Sequence, residues 1–199
     1  MPLVSSVDDV VRAVDAGELV VTPTDTVYGL ACRPDRAEAV ASLSALKRRS
    51  PEQPIALVAS RADDLLELIP ELPAHLLFAG PFTLVVPNPA RRLPWLAGAR
   101  PETIGVRIPE GAGPGAELLA RVGVVAATSA NLHGGPDPWR LSDVPPEILD
   151  GVAAALDAGE LPGTPSTVLD LTGPQPRVLR EGAVSAAEAL ARVAELPAE

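Results

Sequence analysis

The longest uninterrupted apolar stretch that reads as a strand, residues 123–127, stops at once in Thr128, Ser129 and Asn131. An apolar run of that length without alternation predicts a strand buried on both faces. Such a strand needs neighbours on each side and layers above and below it, which commits the chain to a packed sheet. Other short runs read the same way, at residues 18–22, near Leu30, and at 55–59, 82–86 and 103–108. Helical patterns fall between them. Ser6 with Asp9 forms a capping box for a first helix that stops at Gly17. Asp35 is the expected cap of a second helix through Ala39, Leu43 and Leu46, and Ser60 of a third over 63–68. Further helices are expected at 74–78, 116–122 and 142–149, and from Ser185 with Glu188 closing its capping box. Strands cluster late, at 152–156, 167–171 and 177–179. Early alternation and late clustering predict an α/β fold with a twisted, mixed parallel and antiparallel sheet flanked by helices, in one domain over residues 1–199.

Hydrophobic residues make up 47% of the 199 and aromatics only 3%, so the core must be Val, Leu, Ile and Ala. No apolar run approaches the roughly 20 residues that span a bilayer. Residues 1–5 carry no basic n-region and no apolar h-region, which predicts a cytoplasmic protein without a membrane partner. The single cysteine, Cys32, can form no internal disulfide and reads as an inert buried residue. His75 and His133 stand far apart and no CxxC or HExxH spacing exists, so no protein metal site is expected. The net charge of −10 argues against extensive tRNA or DNA binding. Cations are nevertheless concentrated at Lys47-Arg48-Arg49, Arg91-Arg92, Arg107, Arg177 and Arg180. A local basic pocket in an acidic protein suits a small phosphorylated ligand.

Five segments place hydroxyls or single cations at strand ends. In Pro23-Thr24-Asp25-Thr26-Val27-Tyr28-Gly29-Leu30, two threonines and a tyrosine can serve a polar ligand or merely a hydrogen-bonded turn. Lys47-Arg48-Arg49 can complement a helix dipole, or hold cations over a triphosphate. Arg107 interrupts an apolar strand whose alternation sets Thr103, Gly105 and Arg107 on one face. It needs an anionic partner, either a carboxylate of this chain or a ligand. Thr128, Ser129 and Asn131 lie at the carboxyl end of a buried strand, a usual place for ligand contacts. Ser166 and Thr167 precede a strand, and Arg180 follows one.

Taken in order, these segments resemble the YrdC/TsaC family. The matching stretches are PTDTVYGL, the Lys47-x-Arg49 pair with Gln53-Pro54, GPFTLVV, TIGVRIP, ATSANLHGG, STVLDLTG and LREGAV, from Thr22 to Val184. The resemblance implies a YrdC-like domain with a positively lined cavity. It implies an L-threonylcarbamoyladenylate synthase, a nucleotidyltransferase that condenses L-threonine, bicarbonate and ATP with release of pyrophosphate. Partner proteins then pass the threonylcarbamoyl group to tRNA. By motif position, Thr26, Arg107, Ala127 and Ser166 contact threonine, Ala127 through its backbone. Lys47, Arg49, Gln53, Thr103, Ser129, Asp137 and Arg180 contact ATP, and Tyr28 and Asn131 shape the pocket. Lys47 and Arg49 are the implied catalytic cations, and Mg2+ enters with ATP. Longer relatives have a histidine at the position of Val58 and an additional C-terminal domain, so the short form is expected here.

The same fold admits a YciO-like or carbamoyl-AMP-handling paralogue, and an RNA-binding module. Against RNA stand the net charge and the scarcity of stacking aromatics. Ser129, His133 and Asp137 do not make a hydrolase, since no GxSxG elbow is present and all three fall in one loop. The glycines of 111–115 lack the Lys-Ser/Thr of a P-loop and read as a turn into the next helix.

Overall fold

A computed structural model describes residues 4–196. Residues 1–3, read above for targeting, and residues 197–199 of the expected domain lie outside the described residues. The strands are β1 (Val20–Pro23), β2 (Tyr28–Cys32), β3 (Ala56–Ala59), β4 (Phe82–Pro87), β5 (Thr103–Arg107), β6 (Val124–Ser129), β7 (Ala154–Ala155), β8 (Thr167–Asp170) and β9 (Arg177–Arg180). They form one nine-stranded sheet in the order β7-β1-β2-β6-β3-β5-β4-β8-β9. The pairs β1–β7, β3–β5 and β4–β8 are parallel and the other five antiparallel, so the sheet is mixed as expected. No helix among the described residues is long and apolar enough to cross a membrane.

Successive strand residues point to opposite faces, and two cores result. Val20, Ala31, Val58, Val125 and Ala127 join Val10, Val14, Leu118 and Leu119 on one face. Those last four belong to α1 (Val7–Ala16) and α4 (Pro114–Val122). Their strand neighbours Val21, Leu30, Leu57 and Ala126 belong to the larger core. That core also takes buried side chains from α2 (Ala37–Leu46), α3 (Ala62–Leu68) and α6 (Ala186–Ala194). The capping boxes Ser6–Asp9 and Ser185–Glu188 form, and Gly17 closes α1 in the left-handed region at φ 83°.

Some expected boundaries move. Asp35 does not cap α2, because Arg33 grips both of its carboxylate oxygens at 3.0 Å. Arg36 takes the cap position without a side-chain bond. Ser60 does not cap α3 either; Arg61 does so by position alone, and Ser60 Oγ donates to Asp64 Oδ2. The helix expected at 142–149 divides into a 3-10 turn (Leu141–Asp143) and α5 (Pro146–Leu149). The pair Pro145-Pro146 is the cause, since neither ring can donate an amide to a preceding turn. The helix expected at 74–78 is only a 3-10 turn over Ala74–Leu76, with Leu77 already extended. The strand expected at 152–156 shortens to β7 at the sheet edge.

Helix α4 lies directly on the end of β1. A Cβ built on Gly115 would stand 2.1 Å from the Pro23 carbonyl oxygen. Gly115→Ala must therefore push the helix off the strand. We expect a lowered urea midpoint at unchanged slope, a loss of about 1–3 kcal/mol.

Candidate active site

The face of the sheet that carries α1 and α4 continues into a cavity of about 460 Å³. Val58 and Ala127 belong to both the core on that face and the cavity lining. Small side chains make room there: Gly29, Ala56, Gly105 and Ala127 line it. Gly105 lies against Ala56, where a Cβ would meet the Ala56 Cβ at 3.4 Å. The cavity thus forms where the strands offer too little side chain to fill their own surface.

Four arginines line it, Arg49, Arg100, Arg107 and Arg180, against two carboxylates, Glu52 and Asp137. Arg107 ends β5 and is 8% exposed. Its Nη2 donates to the Asp25 carboxylate and, at 2.7 Å, to Thr26 Oγ1. The partner demanded by a buried arginine is therefore a carboxylate of the chain itself. Its Nε is buried without any hydrogen-bond partner. Burial depresses the Arg107 pKa, and Asp25 opposes that shift.

Arg49 has no carboxylate. It donates to Gln53 Oε1 (2.8 Å), Thr128 Oγ1 (3.1 Å) and the Pro54 carbonyl (2.6 Å). Arg180 donates to the Ser166 carbonyl at 2.7 Å and to Ser166 Oγ at 3.3 Å. A β-bulge aims it there. Val168 pairs with Arg180 but Leu169 with Val178, which leaves Leu179 opposite no residue. Lys47, 3% exposed, donates to the carbonyls of Ser129 and Asn131 and to Asn131 Oδ1. Among the described residues, Lys47, Arg49 and Arg180 form no ion pair, whereas surface arginines such as Arg12, Arg33, Arg61, Arg92 and Arg121 do. Burial pushes the Lys47 ammonium down to about 8, with Arg49 adding to the shift and Asp137 opposing it.

Of the residues singled out in the sequence, Arg49, Thr103, Arg107 and Ala127 line the cavity. So do Ser129, Asp137, Ser166 and Arg180. Thr26, Lys47, Gln53 and Asn131 stand behind the lining and hydrogen-bond to it. Tyr28, which the resemblance sets in the pocket, packs instead into the larger core on the opposite face of the sheet, because its neighbour Gly29 takes the cavity face. Tyr28 is fully buried, its hydroxyl set between Asp157, the Gly159 carbonyl and the Ala158 amide. Burial raises its pKa to about 12, so it stays protonated. Ser129 Oγ donates to Asn131 Oδ1 at 2.7 Å, which leaves no serine–histidine relay. Cys32 is buried and its thiol is pushed up to about 12 by burial, in keeping with an inert residue.

The sequence reading passed over Asp25, Arg100 and Thr83. Asp25 reads as a turn residue in the sequence, although an aspartate between two threonines within reach of a strand arginine is itself a signal. Thr83 lines the cavity and shares a 2.8 Å hydrogen bond with Ser166. Nothing in the pattern of β4 marked it. Among the described residues no group of three or more His, Cys, Asp or Glu side chains is placed to hold a metal ion.

A family profile for Sua5, YciO and YrdC, described as "Telomere recombination", matches residues 12–182. The chain belongs to that family. It is 38% identical over 183 residues to a protein of Mycobacterium tuberculosis, covering 88% of this chain and 83% of the relative. It is 30% identical to a protein of Vibrio campbellii named threonylcarbamoyl-AMP synthase, covering 88% and 98%. Among solved structures it resembles Pyrococcus abyssi Sua5 in complex with L-threonine, at a TM-score of 0.83 and 29% identity. That likeness covers 96% of this chain but only 58% of the Pyrococcus one. Escherichia coli YciO shares the fold at a TM-score of 0.73 and 24% identity, with 92% of each chain covered.

The Lys47 shift has a measurable consequence. Between about 8 and 10.5 the unfolded chain holds a proton that the folded one has released. Stability from this group therefore grows as pH rises through that window. From pH 7.5 to 9.5 we expect urea unfolding of the wild type to gain about 2 kcal/mol relative to Lys47→Met.

Proposed function

We propose that this chain is a cytoplasmic L-threonylcarbamoyladenylate synthase, a nucleotidyltransferase built on one YrdC-like domain. The observation that carries the reading is the cation set without carboxylates. Lys47, Arg49 and Arg180 are held in and beside one cavity by neutral acceptors alone. Arg49, half-buried, and Arg180, exposed at the cavity edge, so arranged keep their charge available to an anionic ligand, and buried Lys47 adds its charge from behind. Family membership and the threonine complex of the Pyrococcus relative support the identity of the substrates.

In this reading the amine nitrogen of L-threonine bonds to the carbon of bicarbonate and water leaves, giving a carbamate. A carbamate oxygen attacks the α-phosphorus of ATP, the bond from that phosphorus to the bridging oxygen of the β-phosphate breaks, and pyrophosphate leaves. Such a displacement needs alignment and charge neutralisation more than a protein nucleophile. Arg49 and Arg180 neutralise phosphate oxygens, with Thr103, Ser129 and Asp137 around the nucleotide. ATP brings its Mg2+ as part of the substrate complex. Lys47 supports the site from behind. It fixes the Ser129–Asn131 turn, and Gln53 fixes Arg49. Arg107 receives the threonine carboxylate near Ser166 and the backbone of Ala127, with Thr26 supporting the guanidinium. Val58 gives that end of the pocket an apolar surface. The product passes to threonylcarbamoyl-transfer proteins acting on tRNA, and direct tRNA binding by this acidic chain is weak.

Purified protein should release pyrophosphate only when L-threonine, bicarbonate and ATP are all present. Release without dependence on threonine would instead indicate a carbamoyl-AMP-handling paralogue. Tight, salt-sensitive retardation of tRNA would indicate an RNA-binding module. Arg49→Ala and Arg180→Ala should each reduce adenylate formation on the order of 100-fold or more while keeping the wild-type circular dichroism. Near-normal turnover in either would remove that arginine from the phosphate role.

A further inference from the structure

Arg107 and Asp25 meet at a partition between two cavities. Arg107 lines the larger cavity, and Asp25 lines a second one of about 280 Å³. Asp25 is absent from the lining of the larger cavity. Anything it does for a ligand there, it does through Arg107.

Two details show what sets the guanidinium's position. Asp25 engages it at Nη2 alone, and Thr26 Oγ1 takes the same nitrogen. Nε–H, on a nitrogen that a side-on carboxylate would also hold, is buried without a partner. An unpaired buried donor is costly, so the guanidinium is not where its own hydrogen bonds would be best satisfied. It sits where Asp25 and Thr26 draw it. Asp25 is itself anchored, its other oxygen meeting the Glu110 amide at 3.4 Å, and its side chain is 11% exposed. The pairing also offsets the burial that works against the Arg107 charge.

We infer that Asp25 is a positioning residue that holds the Arg107 guanidinium in the cavity wall, at the place where the carboxylate of an α-amino acid is received. The inference rests on the reading of Arg107 as the carboxylate contact of L-threonine. Without Asp25, Arg107 keeps its charge but loses its fixed direction, so amino-acid binding suffers, while Arg49, held separately by Gln53, Thr128 and Pro54, keeps its place on the nucleotide side.

The experiment has a kinetic arm and a structural arm. In Asp25→Asn the KM for L-threonine should rise on the order of 10-fold or more, with the KM for ATP within about two-fold of wild type. Asp25→Glu keeps the charge, displaces it by one methylene, and should fall between the two. In nitrogen-15 correlation spectra, the buried Arg107 Nε–H is shielded from water and should give a slowly exchanging signal, assigned by its loss in Arg107→Lys. That signal should shift or exchange faster in Asp25→Asn and in Asp25→Glu. A wild-type Arg107 signal in the variants overturns the positioning role whether or not the protein shows activity. So does a wild-type threonine KM in either variant. Absence of threonine-dependent pyrophosphate release from the wild type would refute only the functional reading, since the spectra decide the role of Asp25 independently. Should Asp25→Asn fail to fold, Asp25→Glu decides in its place.

Discussion

The structure depends on β6, which must be apolar on both faces and polar at its end. Within the sheet it pairs antiparallel with β2 on one side and β3 on the other. Val125 and Ala127 face the helices α1 and α4, while Ala126 faces the larger core. Two well-packed layers follow from that double burial. Its carboxyl end then has to dispose of Thr128, Ser129 and Asn131. The chain does so by surrounding them with Arg49 and Lys47, delivered from the end of α2. A strand chosen for burial thereby creates the polar corner on which the site is built.

The electrostatics divide the molecule into two regimes. On the surface, arginines meet carboxylates in screened pairs that contribute little. In and beside the cavity, Arg49, Arg180 and Lys47 meet carbonyls, hydroxyls and amides. Arg107 and Arg100 are the exceptions, the first paired with Asp25 and the second with Asp170 and Glu102. The lining therefore combines cations without carboxylate partners and cations neutralised by the chain's own carboxylates. An overall charge of −10 is compatible with this because only two carboxylates, Glu52 and Asp137, are among the residues lining the cavity.

Much of this was readable in the sequence. The continuous apolar run of β6, the two capping boxes and Gly17 were legible because each is a local rule expressed by neighbouring residues. The seven motifs placed Arg49, Arg107, Ser166 and Arg180 in one site, and the fold brings all four to one cavity. Other features depend on partners distant in sequence. Asp35 reads as a cap until Arg33 claims it, and Asp25 reads as a turn residue until β5 brings Arg107 beside it. The bulge that turns Arg180 inward is a register slip between β8 and β9, which no single-strand pattern displays. The division of the helix at residue 145 was legible in principle, since two adjacent prolines stood in the sequence.

Arg180 is mounted on β9, which is the edge of the sheet and largely exposed. Edge strands hold one row of ladder bonds and open locally at lower free energy than central ones. The strand bearing Arg180 is thus the part of the site that opens most readily, whereas Arg107 stands on the buried β5 and Arg49 follows α2, both packed on the core. Whatever Arg180 holds can be let go by transient peeling of a four-residue strand, with the remaining eight strands undisturbed.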